Sequence, residues 1–372
     1  MSAPLKIESF QPATGFVRVP IARSERLRGI DSIRFLCALI VVHNHMGNPN
    51  PLYFFPDTAF LRALMMFGRV LFFAPAAVII FFVLSGLCIH YPYRHGEPIE
   101  PLSFILKRLV RVALPLALAT PFGLAMKLDF QIFNNNILWS LFAEIIYYTL
   151  YPTLMRLKTR MGWPRLLGTT FAVSLVLFLL QWDASEYPAF GVWGNWLAGL
   201  PCWLLGVRLA ECVDDLRQSA WLRRFLLRGS IIAGMSIAII LHFHTRFTNP
   251  FVLNLYAILA FFWLREEVAH FKNHKPWQWL ESLGKASYSL YLTHLPIIVA
   301  VAWKLPIPFG RFRWFGILGS ALVGSWVFYW LVEKPCHKLA QMIPKRLRRP
   351  RDLSASESRT LSACPDSPAH PT

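Results

Sequence analysis

Apolar residues along this chain come in long runs, not in the alternation of a half-buried strand or the single stripe of a surface helix. The runs fall near 31–47, 69–90, 108–126, 136–155, 166–181, 189–210, 229–244, 250–265, 286–304 and 314–332. Each is close to the ~20 residues that cross a bilayer as a helix. The pattern predicts an all-α polytopic membrane protein, a bundle of about ten transmembrane helices. There is no long repeat and no second soluble domain. The expected organisation is a basic cytoplasmic segment over 1–29, a transmembrane domain over 30–335 and a solvated basic tail over 336–372.

Composition agrees with the runs: 55% of residues are hydrophobic and 16% charged, too apolar for a soluble domain of 372 residues. The net charge of +18 raises the question of nucleic acid, but the basic residues are spread between apolar runs and not gathered in one module. Alternate loops carry them: Arg23, Arg26 and Arg28; Arg94 and Lys107; Arg156 to Arg165; Arg217 to Arg228; Lys272 and Lys275; Lys345 to Arg351. The other loops are poorer in charge, except the last, with Lys304, Arg311 and Arg313. This asymmetry predicts an even number of spans with both termini cytoplasmic. The six cysteines include no C-x-x-C pair, so neither a disulfide framework nor a zinc site is expected. Residues 1–29 do not read as a cleavable signal peptide. No P-loop, H-E-x-x-H or G-x-S-x-G stands in the sequence, which takes support from soluble-type hydrolase, nucleotidase and zinc-protease readings.

Polar residues inside the runs are the candidates for chemistry. The first run reads DSIRFLCALIVVHNHMG. Arg34 and His45 lie about 20° from eclipsed on a helix and about 16 Å apart along its axis. Asp31, one turn before Arg34, is placed to pair with it, while His43 points almost opposite to His45. An arginine at membrane depth costs roughly 2.5–3.5 kcal/mol, so this face should look into the bundle. An equal reading makes Asp31 and Arg34 the cytoplasmic helix end and His45 an interfacial residue. Ser85 and Gly86 in FFVLSGLCI are small enough to let helices approach. Arg108 and Arg111 share a face one turn apart and suit either a phosphate-bearing ligand or a plain positive-inside anchor.

In the fourth run Glu144 has Ser140 one turn before it and Tyr147 and Tyr148 one turn after. It could orient a histidine, hold an arginine or end a structural network. Ser287, Tyr291 and His294 make a polar stripe, read equally as a substrate groove or an interhelical seam. Glu333, in LVEKPC, is best read as a salt-bridged terminus with Pro335 ending the helix.

In this order the segments resemble the acyltransferase-3 family of bacterial membrane proteins that acylate cell-surface sugars. The resemblance covers about Leu27 to Pro335: the Arg34-to-His45 spacing, FFVLSGLCI, R-x-x-R at Arg108 and Arg111, WSLFAE with Tyr147, Tyr148 and Pro152, SYSLYLTH, and Glu333 with Pro335. Phe35 stands where members usually have Gly, and two histidines lie unusually close. The resemblance implies transfer of an acyl group, most often acetyl, from coenzyme A as co-substrate to a hydroxyl of an envelope or exported polysaccharide, at the bacterial inner membrane. No bound cofactor or metal is expected, and no fused hydrolase-like domain, so the chain works alone or with separate polysaccharide-assembly proteins. It makes His45 the candidate base, with Glu144 as its candidate orienter. Arg34, Arg108 and Arg111 become donor ligands, and Asp31, Ser140, Tyr291, His294 and Glu333 a supporting network. The rival reading is a transporter or flippase for an envelope sugar or lipid-linked precursor, its polar residues lining a substrate or proton path.

Overall fold

The computed structural model describes residues 27–128, 138–244, 249–304 and 310–343. Among them the chain is helical, with no strand. The first helices are α1 (Ile30–Met46), a short α2 (Ala59–Leu71), α3 (Ala74–His90) and α4 (Pro101–Ala125). There follow α5 (Trp139–Met161), α6 (Trp163–Leu180), α7 (Gly191–Cys212), α8 (Trp221–His244) and α9 (Asn249–Asn273). The last are a short α10 (Gln278–Gly284), α11 (Ser287–Val299) and α12 (Arg313–Phe328).

Cross-helix contacts set the directions. The Asn44 side chain, near the end of α1, accepts the first amide of α3 at 3.3 Å, so α3 runs back along α1. The ends of α3, α5 and α7 meet where Glu211 takes Lys158 at 2.6 Å and His90 at 3.3 Å, with Trp163 of α6 donating at 2.5 Å. Arg228 of α8 and Glu267 of α9 pair at 2.6 Å near the same end. Just past α7, Arg94 binds Asp214 at 2.7 Å and holds that carboxyl below its ordinary range. We call this the basic end of the bundle.

Four helical stretches are long and apolar enough to cross a membrane by length and composition: Ala74–Tyr93, Trp163–Leu180, Trp221–His244 and Gly310–Ile343. Their large exposed side chains, such as Leu179, Leu180, Phe225 and Val323, form an apolar surface of the kind that faces a bilayer. Helices α1, α4 and α5 carry charged cavity-lining groups, which dilutes their hydropathy, and α11 is apolar but only 13 residues long.

The centre of the bundle is α3, buried along almost its whole length against α1, α7 and α9. It crosses α7 with backbones in contact: a Cβ on Gly86 would lie 2.0 Å from the Trp203 carbonyl, and one on Gly206 1.9 Å from that of Val83. The packing expected of Gly86 is thus realised, with Gly206 as its counterpart.

Helices α4, α5, α8 and α9 extend beyond the runs that predicted them, and two further differences have a steric cause. The run 69–90 is not one helix, because Phe72 and Phe73 are extended and separate α2 from α3. Pro75 at the start of α3 lacks an N–H and cannot continue an upstream helix through that turn. Pro335, expected to end the last helix, does not. Its ring would crowd the carbonyl four residues back, and the turn before it, Tyr329–Glu333, is wound as a π-helix. The chain stays helical through Ile343, past the boundary at 335.

Candidate active site

The site is built from the start of α1. Gly29 precedes that helix with no side chain to cap it, and the cap comes from α10 instead. Glu281 accepts the amide of Gly29 at 3.0 Å through one oxygen, and through the other the amide and hydroxyl of Ser32 at 3.0 and 2.6 Å. A carboxylate at a helix N-terminus satisfies orphan N–H groups and meets the positive end of the dipole.

Beside this junction opens a cavity of about 410 Å³, walled by α1, α3, α4, α5, α11 and the last helix. On α3 its lining runs from Ile89 through Cys88 and Ser85 to Phe82, Phe81 and Val78, about 16 Å along the axis. The charged residues Asp31, Arg34, Arg108, Arg111, Glu144, Lys285 and Glu333 all line it.

Around its basic end the arginines are held differently. Arg34 lies 3.9 Å from Asp31, the pair expected from their spacing. Arg111 donates to His337 at 3.1 Å, and His337 lies 3.4 Å from Glu333. The other Glu333 oxygen accepts the amide and hydroxyl of Ser289 at 3.1 and 2.5 Å. Arg108 Nε is buried without a hydrogen-bond partner among the described residues, and its guanidinium lies over Phe104. A buried unsatisfied donor on a charged group is costly, and Arg108 is at the same time one of the residues that line the cavity.

Midway along, Glu144 is the acceptor at the end of a donor chain. Trp203 Nε1 donates to Ser85 at 3.2 Å, Ser85 bonds Tyr148 at 3.1 Å, and Tyr148 donates to Glu144. Higher still, Ser140 and Tyr291 hydroxyls bond at 2.7 Å.

Tyr291 connects this cavity to the two histidines, which do not line it. His294 is fully buried, with Nδ1 at 2.8 Å from the Tyr291 carbonyl and 3.0 Å from that of Leu290. Carbonyls only accept, so Nδ1 carries the proton and, in the neutral ring, Nε2 accepts. That Nε2 lies 3.1 Å from His45 Nδ1, which therefore donates, leaving the lone pair of His45 on Nε2. The network assigns this tautomer. His45 itself is exposed at the end of α1. Its ring is bonded to His294, while Glu144 belongs to the Tyr148 chain.

All ten residues singled out from the sequence lie among the described residues. Asp31, Arg34, Arg108, Arg111, Ser140, Glu144, Tyr291 and Glu333 share the cavity; His45 and His294 form a pair beyond it. Sequence reasoning missed Lys285, His337, Ser289 and Glu281. His337 stands one turn after Glu333 and would have been found by continuing the helix past Pro335.

A protein-family model, the acyltransferase domain of the acyltransferase-3 type, matches residues 27–330. No curated protein and no solved structure gives a significant match. The match covers most of the chain, from the Glu281-capped start of α1 to the π-turn of the last helix, and so spans nearly every element that walls the cavity. The chain belongs to the acyltransferase-3 family and is a membrane acyltransferase.

Proposed function

We propose that the protein moves an acyl group, acetyl in the first instance, from acyl-CoA to a hydroxyl of a cell-surface or exported polysaccharide, working in the bacterial inner membrane. The observation that carries this reading is one cavity that runs from an arginine-rich mouth to Tyr291, whose backbone carbonyl holds the His294 ring that in turn bonds His45. The alternation of basic loops supports about ten spans, with the basic end and both termini in the cytoplasm.

Coenzyme A phosphates then meet Arg108 and Arg111, whose guanidinium forks suit phosphate oxygens, with Arg34 deeper in the same cavity. The pantetheine arm follows the lining of α3 upward. A hydroxyl is a poor nucleophile at neutral pH, and His45 Nε2 is the lone pair that takes its proton. The oxygen forms its bond to the thioester carbonyl carbon as the C–S bond breaks, and the departing thiolate takes the proton from His45. General-base help of this kind is worth roughly 10² to 10⁴ in rate. His294 is a positioning residue, since it fixes which nitrogen of His45 is basic.

The test is transfer of label from radioactive acetyl-CoA to polysaccharide by membranes containing the protein. The reading predicts alkali-labile label on the glycan. Labelled glycan absent, with vesicles carrying the protein moving an envelope sugar instead, would replace it with the transporter reading.

A further inference from the structure

A second cavity, of about 470 Å³, lies at the end of the bundle opposite the arginines, between the end of α1 and α2. His43, Asn44, Asn48, Asn50, Met65 and Phe72 line it. Among the described residues no charged side chain does so, whereas Asp31, Arg34, Arg108, Arg111, Glu144, Lys285 and Glu333 all line the first cavity. The asparagine amides are oriented by the backbone. Asn44 uses its carbonyl on the amide of Ala74 at 3.3 Å, and Asn50 uses its own on that of Leu52 at 3.1 Å. Their NH₂ groups, both polar atoms of Asn48 and the ring nitrogens of His43 have no protein partner among the described residues. Phe72 packs at 4.6 Å from the His43 ring, and Trp314 at 5.8 Å on another edge. Trp314 also donates to the Gly47 carbonyl at 2.7 Å, which ties the end of α1 to α12.

Neutral amides that both donate and accept, beside an aromatic ring and a thioether, match a ligand with hydroxyls on its edge and C–H groups on its face. The amides, the phenyl ring and the thioether carry no fixed charge to neutralise an anion. From this contrast we infer that the α1–α2 cavity is an acceptor subsite for an uncharged sugar ring, one residue removed from the ring whose hydroxyl reaches His45. His43 is then a sugar-binding residue and not a second base: it stands two residues from His45, on nearly the opposite face of α1. The inference rests on the acyl-transfer reading for its purpose but on the cavity alone for its ligand.

The experiment separates the two by measuring binding with no acyl donor present. Protein in nanodiscs is titrated with neutral hexose trisaccharides (malto-, cello- and galacto-linked) and with a hexuronate trisaccharide, followed by saturation-transfer NMR. The wild type should bind at least one neutral trisaccharide and leave the hexuronate free. Asn48→Ala should weaken that binding about tenfold, the worth of one or two hydrogen bonds. Met65→Trp, which fills the cavity from α2, should abolish it, while both variants keep wild-type binding of coenzyme A. Binding of no neutral trisaccharide, equal binding of the hexuronate, or undiminished binding by Met65→Trp overturns the inference. Neutral-sugar binding that is lost in Met65→Trp, in a protein that transfers no acyl group, upholds the subsite and overturns only the enzymatic reading.

Discussion

The two ends of α1 are built from opposite chemistry. At Ile30 the helix is capped by a carboxylate from α10 and followed by Asp31 and Arg34, which open on a cavity dense in charge. At Met46 it ends in two imidazoles and an asparagine beside a cavity that no charged side chain lines among the described residues. The difference is what the proposed two-substrate transfer across a membrane requires. An ionic cofactor handle is gripped by fixed charge, which gains strength where water is scarce. A hydroxyl is gripped by neutral donors and acceptors, and its proton goes to a group that is neutral before it reacts.

If the ends divide the work this way, substitutions should divide the kinetics. The largest effect is expected from His45→Ala, a loss of roughly 10² to 10⁴ in kcat with acetyl-CoA binding unchanged; initial-rate assays and equilibrium binding on the same preparation check it. Next comes Arg108→Ala with Arg111→Ala, which should raise KM for acetyl-CoA about a hundredfold, one to two charge-assisted hydrogen bonds, and leave the acceptor KM alone. His294→Ala should lower kcat about 10- to 100-fold without moving either KM, because it frees the His45 tautomer and touches no substrate. The smallest effect is that of Glu281→Gln, which weakens the cap on α1 by about 1 kcal/mol. It should lower the thermal midpoint in detergent and slightly depress both donor binding and turnover.

What could be read from the sequence follows from what a single helix transmits. The inward facing of Arg34, its Asp31 partner and the shared face of Arg108 and Arg111 were legible because helical register carries over one continuous element, whereas His45, expected on the same inward face, stands exposed beyond the cavity. The partner of His45 was not, since His294 is 249 residues away and its spacing within SYSLYLTH shows only that it shares a face with Tyr291 and Ser287. For the same reason Glu144 could not be assigned among its three roles until Tyr148, Ser85 and Trp203 were seen to feed it. Pro335 misled in a different way. A π-turn absorbed the steric conflict that normally stops a helix, and His337 was lost to view beyond it. The α2–α3 break was hidden because Phe72 and Phe73 are as apolar as their neighbours, so no polar residue marks the turn.

The measurement that bears most directly on the division between the ends uses sealed proteoliposomes with the basic end of the protein facing inward. Labelled acetyl-CoA is trapped inside, polysaccharide is supplied outside only, and wild type is compared with His45→Ala and His43→Ala. The account predicts label on the external glycan for wild type, almost none for His45→Ala, and for His43→Ala transfer that recovers at high glycan concentration. Wild-type label that appears only when donor and glycan share one compartment, or normal transfer by His45→Ala, would contradict it.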